Sequence, residues 1–413
     1  MNTKVSLLDI VIAMTNTMDL ISPYLNGHHE RVAYIAYSIA RQMQLPYNKQ
    51  REILLAGALH DSGALSLEER LHSLSFEDRY PYLHAELGYN LFKNFTPLSN
   101  SALLIRHHHD RWDNFKDTVP LGSHILHLSD RIEVLIDKHE EILGQVNDIN
   151  SRIFPEFGHM FMPALKEIYT ELNTKESFWL NIMYNPIEII KKQLGIVPEI
   201  QLNINELLEL ANIFRRMIDF RSVYTAAHSA SVAAVAQELA NLFGFSEYAQ
   251  ELMKIAGYLH DLGKLAVPQE ILEKPAKLND YEFNIMRSHV FYTYRILANI
   301  NGLEQINEWA SLHHERLNGK GYPFHLKAAD ISFGSRIMAV ADVFTAIAED
   351  RPYRKGLSKD QIIRTLSHMG VDSLDSKIVN SLIEKFEYIN DIRYAARSEA
   401  LNEYNISYVD ESG

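Results

Sequence analysis

The chain repeats itself. Val32, Ile35, Ala36, Ile39, Ala40 and Met43 form an apolar stripe at spacings of three and four, and Val232, Val235, Ala236, Leu239, Ala240 and Phe243 form another with the same internal spacing 200 residues later. That is the helical period, and it places each set on one face of a helix. Apolar periodicity is common, but here the polar residues keep the same register. His28 answers His228, and His60–Asp61 in LLAGALHDSG answer His260–Asp261 in KIAGYLHDLG. After a five-residue slip, His84 answers His289 and the pair His108–His109 answers His313–His314. Asp130 in HLSDRI then answers Asp342 in AVADVF at an offset of 212, so the second copy carries a longer loop before its last Asp.

With only 18 Gly and 13 Pro, and helical spacing along most of the chain, the fold class expected is all-α: two tandem helical bundles. The punctuation of GIVPEIQLNINE by Gly195 and Pro198 puts the boundary there, giving domains 1–197 and 198–413 and a helix starting near Glu206. Each is a usual domain size. The 40 Lys plus Arg against 53 Asp plus Glu give 40 − 53 = −13, which argues against a DNA or RNA polymer as partner. No cysteine is present, so any metal must sit on His and carboxylate. VSLLDIVIAMTNTMDLI is interrupted by Asp9 and Asp19 and lacks a basic start, so it reads as neither signal peptide nor membrane span. No membrane partner is expected, and the cytoplasm is the expected location.

In the second copy His228, His260, Asp261, His289, His313, His314 and Asp342 recur on helices or helix ends. Neutral imidazole and carboxylate together suit borderline divalent metals such as iron, manganese, nickel or zinc. One ion would not use so many groups. Two would, with Asp261 as the bridge beside His260, and such a pair favours phosphoester hydrolysis by activating a water and clamping an in-line displacement. Lys264, three residues past Asp261 in HDLGK, falls on the same face if the helix continues, where its ammonium could meet a phosphate oxygen. Asn279 with Glu282 forms a capping box that sets His289 more than two turns into the next helix. DRPYR then offers Arg351 and Arg354 to a substrate with several phosphates.

HDLGK, HHE at 313–315, GYP at 321–323, ADVF and DRPYR, in that order over roughly residues 220–356, resemble the HD-GYP family of the HD superfamily, which hydrolyses bacterial cyclic dinucleotides. The resemblance implies a first metal on His228, His260, Asp261 and Asp342, and a second on Asp261, His289, His313 and His314. It implies Asp261 and Lys264 as catalytic residues, with Lys264 steadying the scissile phosphate, and Tyr322, Arg351 and Arg354 bordering the ligand. Iron is favoured, with manganese or nickel competent. Members with a third metal carry a Glu where this chain has Tyr224, so two ions are expected. Tyr322 is read as shaping its loop more than doing chemistry.

The first copy keeps the ligand types His28, His60, Asp61, His84, His108, His109 and Asp130 as a second metal set, but answers Lys264 with Ala64 and has no GYP loop. Arg131 and the extra His107 blur the register there. It reads as a partly degenerate HD-like domain that packs on, positions or regulates the catalytic one, and a poor phosphodiesterase. An HD-like domain followed by an HD-GYP domain resembles the bacterial 3′3′-cGAMP phosphodiesterases. The reading is therefore hydrolysis of a cyclic dinucleotide to a linear 5′-phosphorylated dinucleotide. The rivals are a cyclic di-GMP phosphodiesterase giving pGpG or GMP, a nucleotidase of the wider superfamily, and a non-catalytic cyclic-dinucleotide-binding scaffold. A homodimer is left open. His72, His124, His127, His139, His159, His325 and His368 are read as structural or solvated, and His29 as exposed.

Overall fold

The computed structural model describes residues 4–20, 26–64, 81–194, 199–219, 227–350 and 355–409. The fold is all-α; the exceptions among the described residues are isolated bridges and one pair of two-residue strands. Two compact units divide the chain between Ile200 and Gln201, and the segment Met1–Asp9 groups with the second. The reason is local. β1 (Val5–Ser6) pairs antiparallel with β2 (Gln201–Leu202), and Val5 and Leu202, opposite each other, are both fully buried. Helical periodicity carries no signal for a two-residue pairing across some 200 positions. Gly195 and Pro198 lie outside the described residues.

The first unit contains α1 (Leu7–Asp19, from Ile10 onward), α2 (His28–Gln42), α3 (Tyr47–Leu59), α4 (Pro81–Phe92), α5 (Ser99–Arg106) and α6 (Leu121–Glu133), followed by shorter helices up to Leu194. The second repeats this order with α7 (Ile204–Asp219), α8 (His228–Leu242), α9 (Glu247–Leu259), α10 (Asp280–Ala298), α11 (Glu304–Ser311) and α12 (Phe333–Ala348), and closes with α13 (Phe386–Val409). Side-chain caps fix the starts. The Ser246 hydroxyl accepts from the Ala249 amide, Ser332 from that of Ser335, and Asn279 with Glu282 makes the full capping box. A cap of this kind is worth about 1 kcal/mol.

In each unit the apolar stripe becomes the core. Val232, Val235, Ala236, Leu239 and Ala240 of α8 are fully buried against α9 and α12, as Val32, Ile35, Ala36, Ile39 and Ala40 of α2 are against α3 and α6. The paired helices approach closely because glycine allows it: a Cβ on Gly257 would stand 2.4 Å from the Ala233 Cα, and one on Gly57 2.9 Å from the Ala33 Cα. This contact brings the C-terminal end of α9 beside the N-terminal end of α8.

Candidate metal centres

Helix ends do most of the placing. In the second unit His228 opens α8, His260 and Asp261 follow α9, and His313 and His314 follow α11, while His289 and Asp342 project from within α10 and α12. The ligand atoms of His228, His260 and Asp261 lie within 4.8 Å of one another, as do those of His289, His313 and His314. Asp261 stands between the two groups, with Oδ2 3.2 Å from His260 Nε2 and Oδ1 3.2 Å from His289 Nε2. Asp342 faces His228 Nε2 at 3.3 Å and His314 Nδ1 at 3.8 Å. All seven sequence-predicted residues are thus brought together.

The donor chemistry fits metal ions. Three imidazoles donate Nδ1–H to the carbonyl three residues earlier: His260 to Gly257, His289 to Met286 and His313 to Ala310. Each bond fixes the tautomer and leaves the Nε2 lone pair facing inward, and these three buried Nε2 atoms make no hydrogen bond. Buried polar atoms are normally satisfied, so such a set points to a missing electrophile. His228 Nδ1 instead donates to Glu349 at 2.9 Å, an orienting carboxylate.

Charge and burial act in the same direction. Burial pushes His313 down to about 3 and His314 well below the ordinary imidazole range, so both present the neutral, ligating form. Burial alone would raise Asp261, but His260 and Lys264 hold it well below the usual carboxylate range; His228 and His314 do the same for Asp342 against its burial. The carboxylates stay ionised.

Lys264 lies not on a continued helix but on the tight turn Leu262–Ala266, with its ammonium 2.5 Å from Asp261 Oδ2. Close packing imposes that turn: a Cβ on Gly263 would stand 2.0 Å from the His289 carbonyl oxygen. The Gly263 amide donates to Thr293 Oγ1, which donates in turn to the His260 carbonyl. Glu315, buried, accepts from the amides of Phe324 and Leu326 and ties the GYP loop to the HHE segment. The Tyr322 ring lies 4.8 Å from that of His314 and beneath the Arg287 guanidinium at 4.9 Å, on a cis peptide bond to Pro323. Arg351, Arg354 and Tyr224 lie outside the described residues.

The first unit builds the same cage. Asp61, His84, His108 and His109 form one group and His28, His60 and Asp130 another. Asp61 again stands between imidazoles, with Oδ2 3.6 Å from His60 Nε2 and Oδ1 3.3 Å from His84 Nε2. His60 and His108 donate Nδ1–H to Gly57 and Ile105. His28 donates to Glu133, the counterpart of Glu349. Burial pushes His60 down to about 3. His28 goes the other way: burial would lower it, but Glu133, then Asp130 and Asp61, raise it. His107 pairs with Asp110 away from the cage, which settles the register at the pair.

The differences are equally plain. Ala64 is fully buried where the second unit has Lys264. Arg131, 1% exposed, sets its guanidinium 2.5 Å from Asp130 Oδ2, at the position Val343 takes after Asp342. The expectation that His29 is exposed is wrong: it is buried, its Nδ1 donates to Asp19, and its ring lies 5.3 Å from those of His28 and His60. The cause is Asp19 at the end of α1, a buried carboxylate that requires a donor. The repeat extends to this pair, since Ser229 donates to Asp219 at 2.9 Å. Glu133, Glu349, Glu315 and Arg287 were missed from the sequence. Glu133 shares a helix face with Asp130 at i+3, which is a usable signal, whereas Glu349 follows the helix of Asp342 in extended backbone.

An HD-domain family model matches residues 212–378, and a second HD-domain model matches residues 26–135. The sequence is 30% identical over 372 residues to 3′3′-cGAMP-specific phosphodiesterase 1 of Vibrio cholerae, covering 86% of each chain. The chain belongs to the HD phosphodiesterase family. HD phosphodiesterases are metal-dependent, in keeping with the donor sets above. This one is also 41% identical over 145 residues to a cyclic di-GMP phosphodiesterase of Pseudomonas aeruginosa, a match covering 35% of each chain. Its fold is that of the crystal structure of a cyclic GMP-AMP specific phosphodiesterase of Vibrio cholerae, with a TM-score of 0.64 at 21% identity over 97% of this chain and 98% of the other. No helix among its described residues is long and apolar enough to cross a membrane.

Proposed function

We propose that this HD phosphodiesterase hydrolyses one phosphodiester of a bacterial cyclic dinucleotide, 3′3′-cGAMP ahead of cyclic di-GMP, to a linear dinucleotide bearing a 5′-phosphate. The observation that carries the reading is Asp261, whose two oxygens face two separate imidazoles in the unit that also holds Lys264. The relative matched across most of the chain is named as specific for 3′3′-cGAMP, which supports the choice of substrate. The catalytic HD-GYP domain is assigned to 198–413, and the HD-like domain, with a positioning or regulatory part, to 1–197. The cytoplasm is where such a nucleotide substrate would be met.

His228, His260, Asp261 and Asp342 would hold one divalent ion and Asp261, His289, His313 and His314 a second, with iron favoured over manganese or nickel. When bound, such a pair supplies Lewis-acid neutralisation of phosphate charge and an activated water. The chain itself holds the imidazoles in one tautomer through their Nδ1 bonds. The Lys264 ammonium, on a flexible stem beside Asp261, turns to a non-bridging phosphate oxygen as charge grows there. Tyr322 with Arg287 forms one rim, and Arg351 and Arg354 are assigned to the other phosphate.

The test is hydrolysis of the three common bacterial cyclic dinucleotides by anaerobically prepared iron- and manganese-loaded protein. The expected result is fastest cleavage of 3′3′-cGAMP, loss of roughly 10³-fold in Asp261→Ala, and retention of most turnover in His60→Ala. Undiminished activity in Asp261→Ala would reject the centre. A His60→Ala loss equal to that of His260→Ala would make the first unit catalytic, and preference for cyclic di-GMP would overturn the substrate.

A further inference from the structure

Away from both cages, the first unit holds a cavity of about 380 Å³ between α2 and the helices Leu165–Asn173 and Glu176–Met183. We infer that this cavity is a binding site for a mononucleotide, a ligand class distinct from the substrate above, and the inference does not depend on that reading. The volume is at the lower end of the roughly 300–1,000 Å³ usual for small-ligand sites.

Its α2 wall is Tyr34, Ser38, Arg41 and Gln44. Among the described residues the Arg41 guanidinium has no ion pair or hydrogen bond, so a cation faces the cavity unneutralised. Tyr34 is 4% exposed and packs its ring against that of Phe178, a second lining residue, with centroids 6.2 Å apart. The opposite wall adds Lys175, Ser177, Phe178 and Asn181. Lys175 is the N-cap of the eight-residue helix Glu176–Met183 and gives it no side-chain cap, so that helix start adds its partial positive charge to the two cations. Among the described residues the Lys175 ammonium touches the Gln42 amide oxygen, and Gln42 in turn engages Glu171, while Glu176, in the first turn of the helix, offsets part of the positive charge at its start.

The groups divide by chemistry. Arg41, Lys175, the helix start and the hydroxyls of Ser38 and Ser177 suit phosphate oxygens. The amides of Gln44 and Asn181 offer both donor and acceptor, which suits the edge of a base. The repeat supplies an internal control. At offset 200, Tyr34, Ser38 and Arg41 become Ala234, Glu238 and Asn241, and Asn241 is spent on a bond to Glu238. The same helix face thus carries anion-binding groups in the first unit and none in the second.

Trp179 follows Phe178 in sequence, with its ring 5.3 Å away, and can report occupancy. The experiment is titration of the full chain, after metal removal by chelator, with AMP, GMP and inorganic phosphate, followed by calorimetry and tryptophan fluorescence. Binding of AMP or GMP to the metal-stripped protein is expected, weakened about tenfold or more in Arg41→Asn and in Ser38→Glu, each of which installs the second unit's residue. Turnover without added nucleotide stays unchanged in both variants. Loss of binding on metal removal would place the ligand in a cage and overturn the inference, as would unaltered affinity in both variants. Equal affinity for inorganic phosphate and for AMP would overturn the mononucleotide assignment.

Discussion

The two HD units share a ligand cage and differ in the cation beside it. In the second, Lys264, half-buried on a tight turn, reaches Asp261 on a flexible four-carbon stem. In the first that position is Ala64, and the cation is Arg131, fixed on α6 with its planar fork against Asp130 and buried on all sides. A lysine can leave a carboxylate to meet a substrate oxygen; a buried arginine held by two nitrogens on one carboxylate oxygen cannot without abandoning an ion pair in a low-dielectric interior. Identical ligands therefore do not imply identical chemistry. On the proposed reading, the mobility of one positive charge separates a site fitted for phosphoester cleavage from one fitted to hold ions.

The sharpest way to break that comparison is to remove the mobile charge. Lys264→Ala should lower kcat by roughly 10²–10³-fold while the metal content by elemental analysis and KM change little, because the ammonium acts where charge develops. Reciprocal placement in Ala64→Lys should create no activity in a protein already carrying Asp261→Ala, since Arg131 still occupies Asp130. Gain of turnover there would show that the lysine alone makes the difference.

A smaller effect is expected one layer out. Glu349→Gln and Glu133→Gln each replace the carboxylate that orients the first imidazole of its cage. Each should weaken metal binding at its own unit by about 10–100-fold. Only Glu349→Gln should reduce turnover at limiting metal and recover at excess. Equal loss of turnover in both variants would show that the units work as one site.

Much of this was legible because the repeat aligned histidines against histidines, and a ligand cannot drift along a helix without leaving the cage. Asn279 and Glu282 fixed the start of α10 and hence the depth of His289, since a capping box depends on four neighbouring residues alone. The misses have a different physics. His29 is buried by Asp19, ten residues away on another helix, a tertiary pairing that overrides its polar character. The β1–β2 pairing joins residues some 200 apart through two hydrophobic side chains, too few to make a pattern. Lys264 sits on a turn rather than a helix because the backbone of α10 crosses above Gly263, a constraint no local propensity contains.

The comparison is finest at Arg131. Its guanidinium is a fixed positive charge against one oxygen of Asp130, so it competes with any cation for that carboxylate and should leave the first cage a weaker metal site than its repeat. Arg131→Met keeps the stem's bulk and removes the charge. In metal-free protein the change strands Asp130 in the interior and should lower stability by about 3–5 kcal/mol, the usual cost of halving a buried pair. Metal then takes the arginine's place, so manganese should raise the thermal midpoint of Arg131→Met more than that of the parent, and the affinity of the first cage should rise a few-fold. The measurement is metal titration in a His260→Ala background, where binding at the second centre is impaired and the first can be followed. An unchanged or weaker affinity would mean that Arg131 supports the cage rather than competing with its ions, and the difference between the two units would then rest on Lys264 alone.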